Sequence, residues 1–188
     1  MSTRRSPIEN LVSNLPGATF ARADIAAIAQ PAGLAKFGVK GKGLTRWAAE
    51  HRLDLPGALY EAKRTGRGGW LVRVGSEEIL LDGPADAAER SAFEAAQRQP
   101  GSDLYPVEQQ GTTFELTGPR SAEVLAQMCG VDLGRADPDR IVYTRLAGVS
   151  CGVIPSRSNN AATYTIWVDY SFAPYLWETF VQIISELK

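Results

Sequence analysis

"FELTGPRSAEVLAQMCGVDL", Phe114 to Leu133, joins an apolar alternation to a Gly-Pro turn and then to a segment whose hydrophobic residues recur at helical spacing. It reads as strand, turn and helix, with the helix over 119–129. An earlier stretch, "FGVKGKGLTRWAAEHRLDL" at 37–55, lies over it at an offset of 77 residues. Phe37 falls on Phe114, Val39 on Leu116, Gly41 on Gly118 and Trp47 on Val124, with one residue inserted before the shared Asp54-Leu55 and Asp132-Leu133. In both copies a glycine permits a tight exit from the strand, and the helix turns an apolar face back onto the sheet. The chain is therefore expected to hold a duplicated unit, two pseudo-symmetric halves around a common core, divided as 1–100 and 101–188.

Working outward, "AGLAKFGVKG" is the first convincing strand after a weakly patterned start, and helix 43–52 follows it. A loop rich in Pro and Gly leads to "GGWLVRVGSEEILLDGP", a hairpin with strands Trp70–Val74 and Glu77–Asp82 around Gly75-Ser76. "PADAAERSAFEAAQRQPG" is a helix with Pro84 in its first turn and Pro100-Gly101 as its stop. "SDLYPVEQQGTTFELTG" gives two short strands around Gln110-Gly111, and "RIVYTRLAGVSCGVIP" and "ATYTIWVDY" give three more around the polar turn "SRSNNA". In the last of these Tyr164, Ile166 and Val168 alternate with Thr163, Thr165 and Trp167. "PYLWETFVQIISELK" closes the chain as a helix, with Leu176, Phe180, Ile183, Ile184 and Leu187 on one face. Repeated hairpins favour an α+β fold with mainly antiparallel sheet over a doubly wound parallel one.

The two turns fail as phosphate grips. Gly38 and Gly43 have P-loop separation, but Leu44 stands where lysine belongs; Gly41-Lys42-Gly43 opens a dinucleotide fingerprint whose last glycine is Arg46. In the second copy Pro119 removes an amide donor. Both turns read as structural connections. Catalytic constellations are equally thin. The single histidine, His51, sits at a helix end, where a solvent-facing or dipole role is the ordinary one. Glu77 and Glu78 occupy a strand and point to opposite faces, so they cannot act together. Cys129 and Cys151 lie in apolar surroundings without CxxC spacing and read as buried thiols, so neither a metal site nor a disulfide framework is expected.

The net charge of -1 hides an uneven distribution, +7 over 1–73 and -8 over 74–188. The basic residues are dispersed rather than clustered with aromatics, so nucleic-acid binding is not expected. With 188 residues, 44% hydrophobic, no membrane-length apolar run and no secretion signal in "MSTRRSPIENLVSNLPG", the chain reads as a soluble cytoplasmic protein with no membrane partner. The aromatic density of "WVDYSFAPYLWETF" exceeds what one strand and one helix face need, so Tyr170, Phe172, Tyr175 and Trp177 are expected at a partner interface.

With "SPIENL", "KFGVKGKGLTRWAAEHRLDLP", "GGWLVRVGSEEILLDGP" and "FELTGPRSAEVLAQMCGVDL", the segment "SFAPYLWETF" resembles the gamma subunit of heterotetrameric sarcosine oxidase over most of the chain. More distantly, "FELTGPRSAEVL" and "VYTRLAGVSCGVI" are similar to segments of the aminomethyltransferase folate-binding fold. The resemblance implies a small noncatalytic subunit of a flavin-dependent, tetrahydrofolate-linked N-methyl amine oxidase or dehydrogenase. Larger flavoprotein subunits would then hold FAD, FMN, NAD and tetrahydrofolate. Aminomethyltransferases carry an important acidic residue just before the strand that corresponds to Phe114–Thr117; here that place reads "YPVEQQGTT", with Glu108 as an approximate substitute, so autonomous aminomethyl transfer is not expected. The alternative is a free-standing folate-binding protein with a one-carbon transfer or regulatory role, in which Glu108, Tyr143, Arg145 and Trp167 would approach a pterin.

Overall fold

Apolar alternation and helical periodicity resolve into eleven strands and four α-helices in a computed structural model that describes residue 8 and residues 18–31, 34–98, 103–158 and 161–188. In order they are β1 (Ala18–Arg22), β2 (Ala26–Gln30), β3 (Ala35–Lys40), α1 (Leu44–Glu50), β4 (Ala62–Arg64), β5 (Trp70–Gly75), β6 (Glu78–Gly83) and α2 (Ala87–Arg98). There follow β7 (Tyr105–Val107), β8 (Gly111–Thr117), α3 (Ser121–Ala126), β9 (Val142–Leu146), β10 (Val149–Ser158), β11 (Ala161–Asp169) and α4 (Ala173–Glu186). The expected helix stop at Pro100-Gly101 and most of "SPIENL" lie outside the described residues.

Every strand pairing is antiparallel, in one six-stranded sheet of order β1-β2-β8-β11-β10-β9 and one five-stranded sheet of order β4-β5-β6-β3-β7. The duplication runs through both. Around β8 the neighbours are β2 and β11; around its counterpart β3 they are β7 and β6. The leading strands are exchanged: β2 precedes β3 in the chain but pairs with β8, while β7 precedes β8 but pairs with β3.

That exchange corrects the expected division at residue 100. One compact unit is Met1–Ala32 with Gln110–Lys188, and the other is Gly33–Gln109. It also cancels the charge polarity of the sequence. Residues 33–109 carry 11 Lys+Arg against 11 Asp+Glu, and the remainder 9 against 10, because 9 of the 12 basic residues up to 73 share 33–109 with 8 of the 16 acidic ones after it.

Each unit has its own core, in place of the common one expected. In the first, Phe114, Leu116, Tyr164, Ile166 and Val168 pack with Val124 and Leu125 of α3 and with Leu176, Trp177, Phe180 and Ile184 of α4. In the second, Val39, Leu71, Ile79 and Leu81 pack with Leu44 and Trp47 of α1 and with Ala92, Phe93 and Ala96 of α2. Burying one side chain of this size contributes about 1.5–3 kcal/mol. The repeat extends to aromatic contacts: Phe37 lies 6.3 Å from Phe93 between ring centroids, and its counterpart Phe114 lies 5.9 Å from Trp177.

Several boundaries differ from expectation. β1 and β2 lie in the stretch that reads as weakly patterned, and β4 in the loop rich in Pro and Gly. The β5–β6 turn is Ser76-Glu77, one residue later than expected, with an irregularity between Arg73 and Gly75. Glu77 is thus a turn residue rather than a strand neighbour of Glu78. Pro84 lies outside α2, whose start is set by a reciprocal cap: Glu89 N–H donates to Asp86 Oδ1 and Asp86 N–H to Glu89 Oε2, both at 2.8 Å.

Candidate functional site

The strand exits of the two repeats use the same device. Gly41 has φ +132° and Gly118 φ +122°, where a side chain is strained. A Cβ on Gly41 would run into the Asp103 carbonyl oxygen; one on Gly118 would lie 2.9 Å from the Ile25 carbonyl oxygen. Two residues on, at equivalent positions, Gly43 N–H donates to the Asp103 carbonyl and Arg120 N–H to the Ile25 carbonyl, both at 2.9 Å. Gly41 N–H donates to the Glu77 carbonyl at 2.8 Å. The amides that a phosphate would require are thus engaged by the chain's own carbonyls, as expected of structural turns.

Tyr143 and Trp167 come together on one sheet face. Successive strands β9, β10, β11 and β8 place Tyr143, Gly152, Trp167 and Thr113 in one row, and Arg145 follows Tyr143 two residues along β9. The indole Nε1 of Trp167 is buried and has no hydrogen-bond partner. Glu108 belongs to the other compact unit. The space over Gly152 is filled, with a Cβ there meeting Ile141 Cδ1 at 2.7 Å and Tyr143 Cε1 at 3.2 Å.

The equivalent row of the other sheet carries chemistry that the sequence reading missed. Arg64, Trp70, Asp82 and Lys36 stand side by side on β4, β5, β6 and β3. The Arg64 guanidinium carbon lies 3.7 Å from the Trp70 ring centroid, and Lys36 Nζ lies 2.7 Å from Asp82 Oδ1. Lys36 is the counterpart of Thr113 at the repeat offset, so position is preserved and chemistry is not.

Of the expected interface residues, Tyr170, Phe172 and Tyr175 are half exposed at 51%, 50% and 50%, whereas Trp177 is in the core against Phe114 and is no surface residue. His51 caps the C-terminus of α1, its exposed ring 5.6 Å from that of Trp47. Cys151 is buried in an apolar setting that pushes its thiol up to about 11. Cys129 is only partly buried, its Sγ lying 3.4 Å from Thr144 Oγ1. Among the described residues no three His, Cys, Asp or Glu side chains are grouped to hold a metal, and no helix is long and apolar enough to cross a membrane.

Two exchanged antiparallel modules, each closed by helices on one sheet face, constitute the aminomethyltransferase-like α+β fold. The solved glycine cleavage system aminomethyltransferase T from Bartonella henselae has it, at TM-score 0.60 and 15% identity over 96% of this chain but only 57% of that one. More particularly, a chain of heterotetrameric sarcosine oxidase from Corynebacterium sp. U-96 matches at TM-score 0.75 and 22% identity, over 98% of this chain and 96% of that one. No protein-family model and no curated protein matches the sequence.

Proposed function

We propose that this chain is a small noncatalytic subunit of a flavin-dependent, tetrahydrofolate-linked oxidase or dehydrogenase acting on an N-methylated amine of the sarcosine type. The observation that carries the reading is reciprocal coverage. The chain accounts for nearly the whole of one chain of a heterotetrameric sarcosine oxidase, but for little more than half of an aminomethyltransferase. That coverage favours the subunit reading over that of a free-standing transferase. Its own residues support the same role: the amides at the repeat turns are engaged by the chain's own backbone carbonyls. In this reading the larger flavoprotein chains hold FAD, FMN, NAD and tetrahydrofolate and oxidise the amine to the imine in the cytoplasm. The test is purification of the tagged chain from its native source, with absorption near the flavin bands and sarcosine turnover followed together. Flavin and activity co-eluting with the chain are expected. An isolated chain that demethylates sarcosine unaided, or one that travels without any flavoprotein, overturns the reading.

A further inference from the structure

Four of the exposed large apolar side chains surround one end of the six-stranded sheet. Tyr170 and Phe172 lie in the single 3-10 turn between β11 and α4, and Tyr175 lies in the first turn of α4. Tyr175 Oη donates to the Ala147 carbonyl at 3.1 Å in the β9–β10 turn, and Ala147 N–H donates to the Met128 carbonyl at 2.8 Å. Three residues beyond Met128, Val131 is 45% exposed. The helix turn, the hairpin tip and the end of α3 are thus tied together by hydrogen bonds, and Tyr170, Phe172, Tyr175 and Val131 are exposed on the segments they join.

The stretch that carries the three aromatics has charge of one sign. No Lys or Arg occurs between Arg157 and Lys188, while Asp169 and Glu178 are exposed within that stretch, one just before the aromatic turn and one on the turn of α4 after Tyr175. Hydrogen bonds from the Ser171 hydroxyl and N–H hold the Asp169 carboxyl below the usual carboxylate range. Tyrosine and phenylalanine faces beside fixed carboxylates complement guanidinium and ammonium groups, through cation–π contact and through charge-assisted hydrogen bonds. Clustered aromatics half open to solvent are also the composition of interface cores.

From this we infer that the Tyr170–Phe172–Tyr175 face, rimmed by Asp169 and Glu178, is the docking surface for a larger flavin-bearing chain whose matching surface is apolar and edged with arginine or lysine. The inference rests on the subunit reading above and adds the face and the chemistry of its partner. It is tested in the native source by recovering tagged wild-type chain, an aromatic variant (Tyr170→Ser with Phe172→Ser), a charge variant (Asp169→Lys with Glu178→Lys) and, as control, Tyr105→Ser. Tyr105 is 58% exposed on β7 of the other unit. Circular dichroism and thermal midpoint verify that each variant is folded; the charge variant changes only exposed side chains.

Expected is wild type and control with equal flavin, and both face variants with about tenfold less, as for loss of a central anchor or of a charge pair. Salt raised from about 50 mM to about 500 mM should weaken the wild-type complex. Folded face variants that retain the full flavin content overturn the docking assignment and leave the subunit reading standing. Wild type recovered with no flavoprotein overturns both. Wild type recovered as a homo-oligomer that the aromatic variant splits gives the face to a second copy and overturns the assignment.

Discussion

Lys36 and Asp82 face each other directly across β3 and β6, with Nζ 2.7 Å from Oδ1, and their side chains are only 13% and 5% exposed. An ion pair so enclosed is held by mutual need: each charge, left alone, would keep a desolvation cost that the other now offsets. On the next strand Trp70 pairs with Asp82 in register, and its ring carries Arg64, so the pair is shielded on that side by a large apolar group.

Asp82→Ala is accordingly expected to destabilise the protein by about 3 kcal/mol, since it removes the carboxylate paired with the largely buried Lys36 ammonium. Lys36→Met with Asp82→Leu should cost far less, because no charge is left behind. Urea unfolding of the two variants measures both, and equal losses would show that the pair is not mutually compensated.

Gly118→Ala and Gly41→Ala should each cost about 2–4 kcal/mol, combining the strain of a side chain at φ above +120° with collision against a backbone carbonyl. Gly148, at φ +85° with nothing within 4 Å of its added Cβ, provides the contrast: Gly148→Ala should cost about 1 kcal/mol. Thermal or urea midpoints that place the three variants together would contradict the added cost of the backbone collision at the two repeat turns.

Cys151 sets an alkaline limit. Burial holds its thiol up to about 11 against an ordinary 9.0, so the folded protein keeps the proton where the unfolded chain loses it. The resulting stability is complete below pH 9 and is lost as pH rises toward 11, by about 2–3 kcal/mol in all. Cys151→Ala should flatten this decline in stability–pH curves taken by denaturant titration. Alkylation in the native state should reach the partly buried Cys129 well before Cys151.

Arg22 on β1 closes the end of α4. Its Nη1 donates to the carbonyls of Ile184, Ser185 and Leu187 at 3.2, 3.0 and 2.9 Å, groups that a helix C-terminus leaves without partners. Arg22→Ala is expected to cost about 1–2 kcal/mol and to fray the last turn of α4. Hydrogen exchange should show faster amides there, with β11 unchanged; uniform acceleration would indicate a global effect instead.

Long, strongly patterned elements were readable locally. β11 was, because Tyr164, Ile166 and Val168 alternate against polar neighbours, and so was α4, because Leu176, Phe180 and Ile184 keep helical phase. The same phase could have placed Trp177 inside, since it stands three residues before Phe180 and seven before Ile184. Aromatic density alone did not separate it from Tyr175. β1 and β2 were missed because "ATFAR" and "AAIAQ" have little β-branched or aromatic character. Their strand conformation comes from pairing, β2 against β8 and β1 against β2.

From residue order alone came the duplication, the antiparallel α+β class and the structural nature of the glycine turns, all of which rest on spacing along the chain. Only the folded chain decided that β2 and β7 change places, that the charge asymmetry dissolves into two nearly neutral units, and that Tyr143 and Trp167 share a sheet face. Those outcomes depend on hydrogen bonds between residues tens of positions apart, and no local pattern encodes which distant edge a short strand will find.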